Sequence, residues 1–486
     1  MGQRIILFSV LFISVLFGQP RFEKFFKDST LRIDYYHIGD HQSELITIDR
    51  FYLLKFWSGT KSKLIDPFDI GKYYIQVFDS SAKNLLFSKG FNSYFGEYQT
   101  TAEAKQGTRR TFHESALIPF PKEKILFKLL ARNRQNKLHV IFEQKIDPEK
   151  IQINSENRAA KIKIIKAHHS GTPHQNVDIV FLAEGYTLQD SARFRKDLQH
   201  YTNVLLQKDP FSKYSNKINI YGVYKPSAQS GCDEPTLHKY RNTVLNCTFN
   251  SMGSYRYLLT EDNKTMQDLA SAVPHDAIII MVNQTRYGGG GIYNFYMDFT
   301  TGNAFSENVF IHEFGHSFAG LADEYYTSST AYDEFYPTGV EPTEPNITRL
   351  LNPENLKWKD LVSAGTPIPT PWRKQEFDRL QLDYQKKRQQ LIKEIVQLSK
   401  RQSDSLLLKR KKAGLSELQK KYNRLLDQIL HQDPYSNKVG AFEGAGYLST
   451  GMYRPMLDCV MFRNGDKPFC RVCARRIEEM LKFLSE

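Results

Sequence analysis

The chain has 486 residues, of which 41% are hydrophobic and 24% charged, and its 66 Lys and Arg against 53 Asp and Glu give a net charge of +13. These values are typical of a globular protein, so they exclude a disordered, collagen-like or disulfide-scaffold chain. With 33 Phe and 27 Tyr the sequence can fill a large core. Its length allows about three structural units.

The N-terminus has the pattern of a secretory signal peptide. Arg4 precedes an apolar run over residues 5–17, and Gly18 is a small residue suited to a cleavage point. The run is shorter than the roughly 20 residues that a membrane-spanning helix needs. We therefore predict that residues 1–18 are a signal peptide, that the mature protein is secreted or periplasmic, and that it has no transmembrane segment. The alternative is an uncleaved N-terminal anchor.

Residues 19–150 have the pattern of a β-sandwich-like accessory domain. Short runs rich in β-branched and aromatic residues, such as 31–36, 73–78 and 138–142, are separated by turn-forming residues. This spacing is typical of a β-sandwich. We expect the domain to pack on or shield a catalytic domain rather than to carry chemistry itself.

A second unit, residues 160–486, has α/β character. Residues 177–182, 218–224 and 277–282 are apolar runs that predict buried strands, and helical patterning extends to Lys208 between the first two. The whole chain is therefore predicted to have an α+β fold.

The most informative motif is H-E-x-x-H, formed by His312, Glu313 and His316. Because residues i and i+4 share one face of a helix, both imidazoles can reach one metal ion, and imidazole suits Zn²⁺. Glu313 projects beside them and can take a proton from a metal-activated water. Gly320 can end the helix, and Asp323 then supplies a third ligand. Two histidines and a carboxylate leave one coordination position open, which is typical of a catalytic zinc site.

An inserted helical hairpin is predicted over residues 372–432, where apolar residues recur at three- and four-residue spacing. A break between its helices is expected near Ser403-Asp404 or Ala413-Gly414. Residues 373–430 hold 16 Lys and Arg against 7 Asp and Glu, and this net +9 accounts for most of the charge of +13. We predict solvated faces, with contact to an anionic cell surface as the alternative. A nucleic-acid partner is not expected, because the protein is exported and the basic faces lack interleaved aromatic residues.

The sequence resembles the IgA-peptidase family of metzincin-like zinc metallopeptidases. The resemblance rests on residues 177–186, 312–325, 453–455 and 459–461, and it covers most of the chain outside the signal peptide and the hairpin. It implies an N-terminal β domain followed by a metzincin-like α/β zinc peptidase domain. It also implies an enzyme that hydrolyses peptide bonds.

The chain departs from the usual metzincin pattern H-E-x-x-H-x-x-G-x-x-H. Gly320 follows His316 by four positions instead of three, and an acid replaces the third histidine. The spacing from glycine to ligand is kept if Asp323 is the third ligand, so Asp323 is favoured. Glu324 is the rival, because the extra residue could rotate the turn.

Metzincins also have a methionine in a tight turn beneath the metal. Met452, Met456 and Met461 are the candidates, and the resemblance favours Met461 because the run Asp-Cys-Val-Met is similar to the family's Cys-x-Met. From the same part of the chain, Tyr447 and Tyr453 are candidate transition-state donors.

Four consecutive glycines, residues 288–291, precede a run with strand character. Glycine lets another backbone approach closely. Since the edge strand above a metzincin active site pairs with an extended substrate, this segment is a candidate substrate-binding strand. A loop at the rim of the cleft is the alternative.

The five cysteines are compatible with an oxidising compartment. Cys232 and Cys247 could close a short loop, and Cys459 could pair with Cys470 or Cys473, which leaves one thiol over. Cys470 and Cys473 form a C-x-x-C pair that suggests a redox site or a structural zinc. The redox interpretation lacks the usual βαβ setting, and the zinc interpretation lacks a fourth ligand.

The predicted function is that of a secreted zinc endopeptidase acting on a protein or peptide substrate. His312, His316 and Asp323 would bind Zn²⁺, and Glu313 would deprotonate the attacking water and then protonate the leaving amine. The alternative is a non-catalytic protein that binds cell surfaces, glycans or proteins on a metallopeptidase scaffold. Glu313 favours the enzyme, because a binding protein has no use for a base there.

Overall fold

The structure is a computed structural model that describes residues 19–156, 161–326, 335–400 and 405–485. The predicted signal peptide, residues 1–18, lies outside the described residues. Within the described ranges, no helix is both long and apolar enough to cross a membrane.

Two four-stranded sheets form the N-terminal domain. Its elements are α1 (Phe22–Phe25), β1 (Phe26–Gly39), β2 (Glu44–Leu54), β3 (Tyr73–Asp79), β4 (Leu85–Phe91), α2 (Tyr94–Tyr98), α3 (Ala102–Lys105), β5 (Arg110–Pro121), β6 (Ile125–Arg132), β7 (Leu138–Ile146) and β8 (Ile153–Asn154). One sheet has the strand order β5-β1-β2-β8 and the other β4-β3-β6-β7.

The two sheets share one apolar core. Alternate residues of a strand point to the same face, so Leu31, Ile33 and Tyr35 of β1 are all buried in it. The ring of His37 on β1 contacts the ring of Tyr73 on β3 across the sheets, with 5.3 Å between the centroids. The sheets therefore pack face to face.

The opposite face of β1 packs on the second domain through a buried ion-pair network. Arg32 donates two hydrogen bonds of 2.6 Å to Asp34 and one of 2.7 Å to Asp268, which lies in the second domain. A buried guanidinium requires such partners, because an unpaired charge away from water is costly. This network joins the two domains.

A six-stranded sheet organises the second domain. Its elements are β9 (Lys163–His168), β10 (Val177–Glu184), α4 (Ser191–Gln207), β11 (Ile218–Tyr224), β12 (Thr248–Phe249), β13 (Leu258–Leu259), α5 (Asn263–Ala270), β14 (Ala277–Val282), β15 (Gly289–Ile292), β16 (Tyr296–Thr300), α6 (Ser306–Ala319), α7 (Lys374–Lys400), α8 (Ser405–His431), β17 (Phe442–Ala445), β18 (Leu448–Arg454) and α9 (Arg471–Leu484). The sheet order is β15-β16-β14-β10-β11-β9, with β15 and β9 as antiparallel edge strands.

The central strand β10 is buried along its whole length. Ile179 and Phe181 pack with α4 and α6 on one face, whereas Val180 and Leu182 face α5 and the N-terminal domain. Strands that are covered on both faces have continuous runs of apolar residues in their sequence. The prediction of a mixed helix and sheet fold with an N-terminal domain is confirmed.

The carboxylate of Glu184, at the end of β10, organises the long loop after β11. It accepts hydrogen bonds from the Thr243 hydroxyl at 2.5 Å and from the backbone N–H groups of Leu245 and Cys247 at 2.8 and 3.0 Å. Cys232 lies in the same loop. All five cysteines are buried free thiols, so none of the disulfide pairings considered from the sequence is formed.

Helices α7 and α8 pack against each other as an antiparallel pair. The rings of Tyr384 and Tyr422 lie 5.3 Å apart, and Glu394 forms a 2.7 Å ion pair with Lys411. A break at Ala413-Gly414 is wrong, because these residues lie inside α8. The other candidate, Ser403-Asp404, lies outside the described residues.

The base of this hairpin belongs to the core of the second domain. Phe377 of α7 is fully buried and stacks on Phe462, with 5.3 Å between the ring centroids. Asp427 of α8 forms ion pairs with Arg463 and Lys467. The base therefore supports the segment that contains Met461.

The distal and basal parts of the hairpin should differ in their importance for stability. We expect replacement of residues 388–418 by a short Gly/Ser bridge to leave metal content and melting temperature nearly unchanged, because the hairpin residues that join the core of the second domain lie in its base. Phe377→Ala should instead destabilise the protein by roughly 3–5 kcal/mol, as is usual for a buried aromatic residue. Elemental analysis and thermal unfolding measure both effects. Metal loss in the distal deletion would contradict this division.

Candidate active site

Helix α6 carries the H-E-x-x-H motif and ends at Gly320. This glycine has a φ of +62°, and its N–H donates to the carbonyl oxygen of His316 at 3.0 Å. The left-handed conformation ends the helix and is readily adopted by glycine. It directs the following residues back along the helix toward the two histidines.

Three ligand atoms from this turn converge. The Nε2 atoms of His312 and His316 are 3.1 Å apart, and Asp323 Oδ1 lies 3.0 and 3.2 Å from them, respectively. Two atoms bound at ~2.0–2.1 Å to one tetrahedral ion are about 3.3–3.4 Å apart. The set therefore fits a single zinc ion.

Backbone carbonyl oxygens fix the orientation of both imidazoles. His312 Nδ1 donates to Val460 O at 2.9 Å, and His316 Nδ1 donates to Leu321 O at 2.6 Å. A carbonyl oxygen can only accept, so each Nδ1 carries the proton and each Nε2 is left to bind a metal.

His316 and Asp323 stabilise each other's charged forms. Burial favours a neutral His316, but Asp323 and Glu313 outweigh it and raise the pKa of His316 to about 9. Burial also opposes ionisation of Asp323, yet the two imidazoles hold the pKa of this carboxyl well below its usual range. A metal would have to displace the His316 proton, so metal affinity should increase with pH.

The glycine-rich segment forms β15 at the edge of the sheet, packed against α6. A Cβ on Gly291 would lie 2.4 Å from the backbone oxygen of Glu313 and 3.1 Å from the Cβ of His316. A Cβ on Gly289 would lie 2.7 Å from Val309 Cγ1. Glycine is required here because the strand approaches the helix so closely. Pairing of this strand with a substrate remains a prediction.

Asp323 and Glu324 point to opposite sides of an extended segment, as neighbouring residues in such a segment do. Asp323 faces the histidines, whereas Glu324 is fully buried with its Oε1 3.2 Å from Cys473 Sγ. The rival ligand therefore lies away from the three converging atoms.

Met461 lies beneath the helix. A Cβ added to Gly315 of α6 would come within 2.8 Å of its sulfur atom, which shows how closely the two pack. Val460, the preceding residue, orients His312 as described above. Met452 belongs to a separate small cluster, and Met456 is only partly buried. Of the three candidates, Met461 packs directly on the motif helix, and its role as the metzincin methionine stays a prediction.

A tight turn between β17 and β18 places Tyr447 at the site. Gly446 and Tyr447 both have positive φ values, 53° and 66°, as in a type I′ hairpin turn. Tyrosine is uncommon in this conformation. Its hydroxyl donates to Asp323 Oδ2, and its backbone N–H donates to Tyr325 O at 3.0 Å. The other candidate, Tyr453, pairs through its backbone with Thr348, a residue outside the strands.

Two further residues at the site escaped the sequence analysis. Arg256 donates a 2.6 Å hydrogen bond to the hydroxyl of Tyr325, and the Tyr325 ring lies 6.2 Å from the ring of His312. Burial raises the pKa of Tyr325 well above its usual range, so its hydroxyl stays protonated. Arg256 belongs to no motif, and only the fold brings it to the helix that carries the H-E-x-x-H motif.

These groups line a cleft of about 1220 Å³ between the two domains. The second domain contributes the motif residues, β15, Arg256 and Tyr447. The N-terminal domain contributes charged side chains, including Lys72, Lys105, Arg134, Glu44 and Glu97. The N-terminal domain thus forms one wall of the cleft that contains the motif.

Sequence comparison identifies the class of protein. The family model of IgA peptidase M64 matches residues 165–481, and that of the peptidase M64 N-terminus matches residues 21–143. The chain therefore belongs to the IgA peptidase M64 family, as the resemblance predicted, and this membership indicates a metallopeptidase. A comparison with curated proteins gave no match.

Proposed function

We propose that the protein is a secreted zinc endopeptidase with a metzincin-like catalytic domain. One observation carries the proposal: His312, His316 and Asp323 direct three ligand atoms, 3.0–3.2 Å apart, into a large open cleft beside Glu313. Three protein ligands leave a fourth position for water, as in catalytic zinc sites.

Zinc, when bound, supplies a Lewis acid that polarises a carbonyl group and acidifies water. Glu313 is a neighbour of the ligands on the same helix but is not one of them. Its carboxylate accepts a proton from the attacking water and donates it to the leaving amine. Tyr325, held by Arg256, can donate a hydrogen bond to the oxyanion that develops on the substrate carbonyl.

The substrate is proposed to be an extended protein or peptide chain. The edge strand β15 lies against the motif helix, and its outer edge, which among the described residues bridges only to Tyr257 at Gly289, can add a strand from another chain. The cleft volume of about 1220 Å³ has room for several substrate residues, which suits cleavage within a chain. The basic hairpin of α7 and α8 offers a separate surface for contact with an anionic cell surface.

Removal of metal is expected to abolish cleavage. Protein lacking residues 1–18 should cleave casein, lose this activity in 1,10-phenanthroline and regain it with added zinc. The physical reason is that the three ligands have no catalytic power without the ion. Protein that retains zinc but cleaves neither casein nor a diverse peptide library would contradict the proposal and favour a binding role.

A further inference from the structure

The side chain of Glu324 points away from the active site and belongs to a second group of four potential metal ligands. This group consists of Glu324, Cys459, Cys470 and Cys473, whose ligand atoms all lie within 4.8 Å of one another. None of the four is more than 3% exposed. We propose that this cluster, the thiol cluster, binds a second zinc ion with a structural role.

The distances within the thiol cluster fit a tetrahedral ion. Two sulfur atoms bound at ~2.3 Å to one tetrahedral zinc are about 3.8 Å apart. Cys459 Sγ and Cys473 Sγ are 3.9 Å apart, and Glu324 Oε1 lies 3.9 and 3.2 Å from the sulfurs of Cys470 and Cys473. A disulfide would need sulfur atoms roughly 2.0 Å apart. The spacing is therefore that of ligands around an ion.

Backbone N–H groups point at the sulfur atoms. Cys459 Sγ accepts from the N–H groups of Met461 and Cys470 at 3.5 and 3.2 Å. Cys470 Sγ accepts from the N–H of Cys473 at 3.4 Å, at the N-terminus of the 14-residue helix α9. Hydrogen bonds and a helix N-terminus both stabilise thiolates, which are the metal-binding form of cysteine.

The carboxylate of Glu324 is incompletely satisfied by the protein. Its Oε1, the oxygen nearest the sulfurs, accepts hydrogen bonds from Asn346 Nδ2 at 3.1 Å and from the Cys473 thiol at 3.2 Å, while its Oε2 is buried without a hydrogen-bond partner among the described residues. A buried carboxylate without sufficient partners is costly. A cation bound among the three sulfurs would compensate the buried negative charge of this carboxylate and complete a set of four ligands.

The donor set favours zinc in a closed, structural site. Three thiolates in tetrahedral spacing suit zinc, and four protein ligands leave no position for water. Glu324 is the fourth ligand that the C-x-x-C pair lacks in the sequence, where it is separated from Cys470 by more than a hundred positions. Zinc would also keep the three thiols from pairing in an oxidising compartment.

This second ion would join three segments that build the active site. The backbone N–H of Glu324 donates to Met461 O at 2.9 Å, and Glu324 follows Asp323 directly. Cys459 precedes Val460, the residue that orients His312, and Cys470 is the N-cap residue of α9. The proposal that the thiol cluster binds zinc does not depend on the proposed peptidase function. Only the inference that this ion supports an active site through Asp323 and His312 rests on that function.

Metal stoichiometry and cobalt spectroscopy test the proposal. The full mature chain, purified with zinc and a thiol reductant, should hold two zinc ions. The double variant His312→Ala/His316→Ala should keep one, because the thiol cluster is intact. Loading that variant with Co²⁺ should give an intense near-ultraviolet thiolate-to-cobalt band, which the histidine site cannot produce. This readout is independent of peptidase activity.

Cys473→Ser should lose the second ion, and Cys247→Ser, a buried cysteine outside the cluster, should keep it. If Cys473→Ser fails to fold, the double-histidine variant still decides the question. A folded double-histidine variant that holds no zinc would overturn the proposal, as would a cobalt spectrum without the thiolate band. A disulfide found within the cluster of the purified protein would also overturn it.

Discussion

Glu313→Gln is expected to abolish peptide cleavage while zinc stays bound. Glutamine has nearly the same shape but cannot accept a proton from the attacking water. General acid–base catalysis contributes about 10²–10⁴-fold, so kcat/KM on a fluorogenic peptide should fall by at least that factor. Zinc content should equal that of the wild type, because Glu313 is not one of the three converging ligands.

The matched control for this variant is Glu307→Gln. Glu307 lies in the first turn of the same helix, where it forms an exposed 2.9 Å pair with His200. The Glu307→Gln substitution should change kcat/KM by less than about twofold. A zinc-loaded Glu313→Gln protein with full activity would show that another group takes the proton.

Asp323→Ala is expected to remove the active-site metal. This change deletes one of three protein ligands, so the loss of affinity should exceed the roughly 10–100-fold that follows loss of an outer partner. The zinc concentration for half-maximal cleavage is the appropriate measurement, because cleavage requires the active-site ion. Asp323→Asn should be milder, because the amide oxygen can still bind.

Glu324→Gln distinguishes the two neighbouring acids. The Glu324 side chain faces the thiol cluster and not the histidines. The Glu324→Gln protein should therefore bind active-site zinc with an affinity within about tenfold of the wild type, as for loss of an outer partner. If Glu324→Gln required far more zinc for cleavage and Asp323→Ala did not, the third ligand would be Glu324. The structure would then be wrong about which acid faces the histidines.

The sequence predicted those features that depend on local periodicity. The apolar runs at 177–182, 218–224 and 277–282 all form strands, because a strand buried on both faces needs apolar residues throughout. The motif of His312 and His316 lies on a helix for an equally local reason, since ligands four positions apart share one face. The family resemblance, which rested in part on residues 177–186 and 312–325, is also confirmed.

Tertiary structure decided everything that depends on distant segments. Arg256 reaches Tyr325 from a loop and Tyr447 reaches Asp323 from a hairpin turn, and neither has a spacing that predicts these contacts. Glu324 meets Cys459, Cys470 and Cys473 only because Gly320 reverses the chain and α9 packs beside it. Sequence spacing encodes neighbours within one helix or strand. The contacts of the cleft and the thiol cluster instead follow from how the core of the second domain packs, which no local pattern specifies.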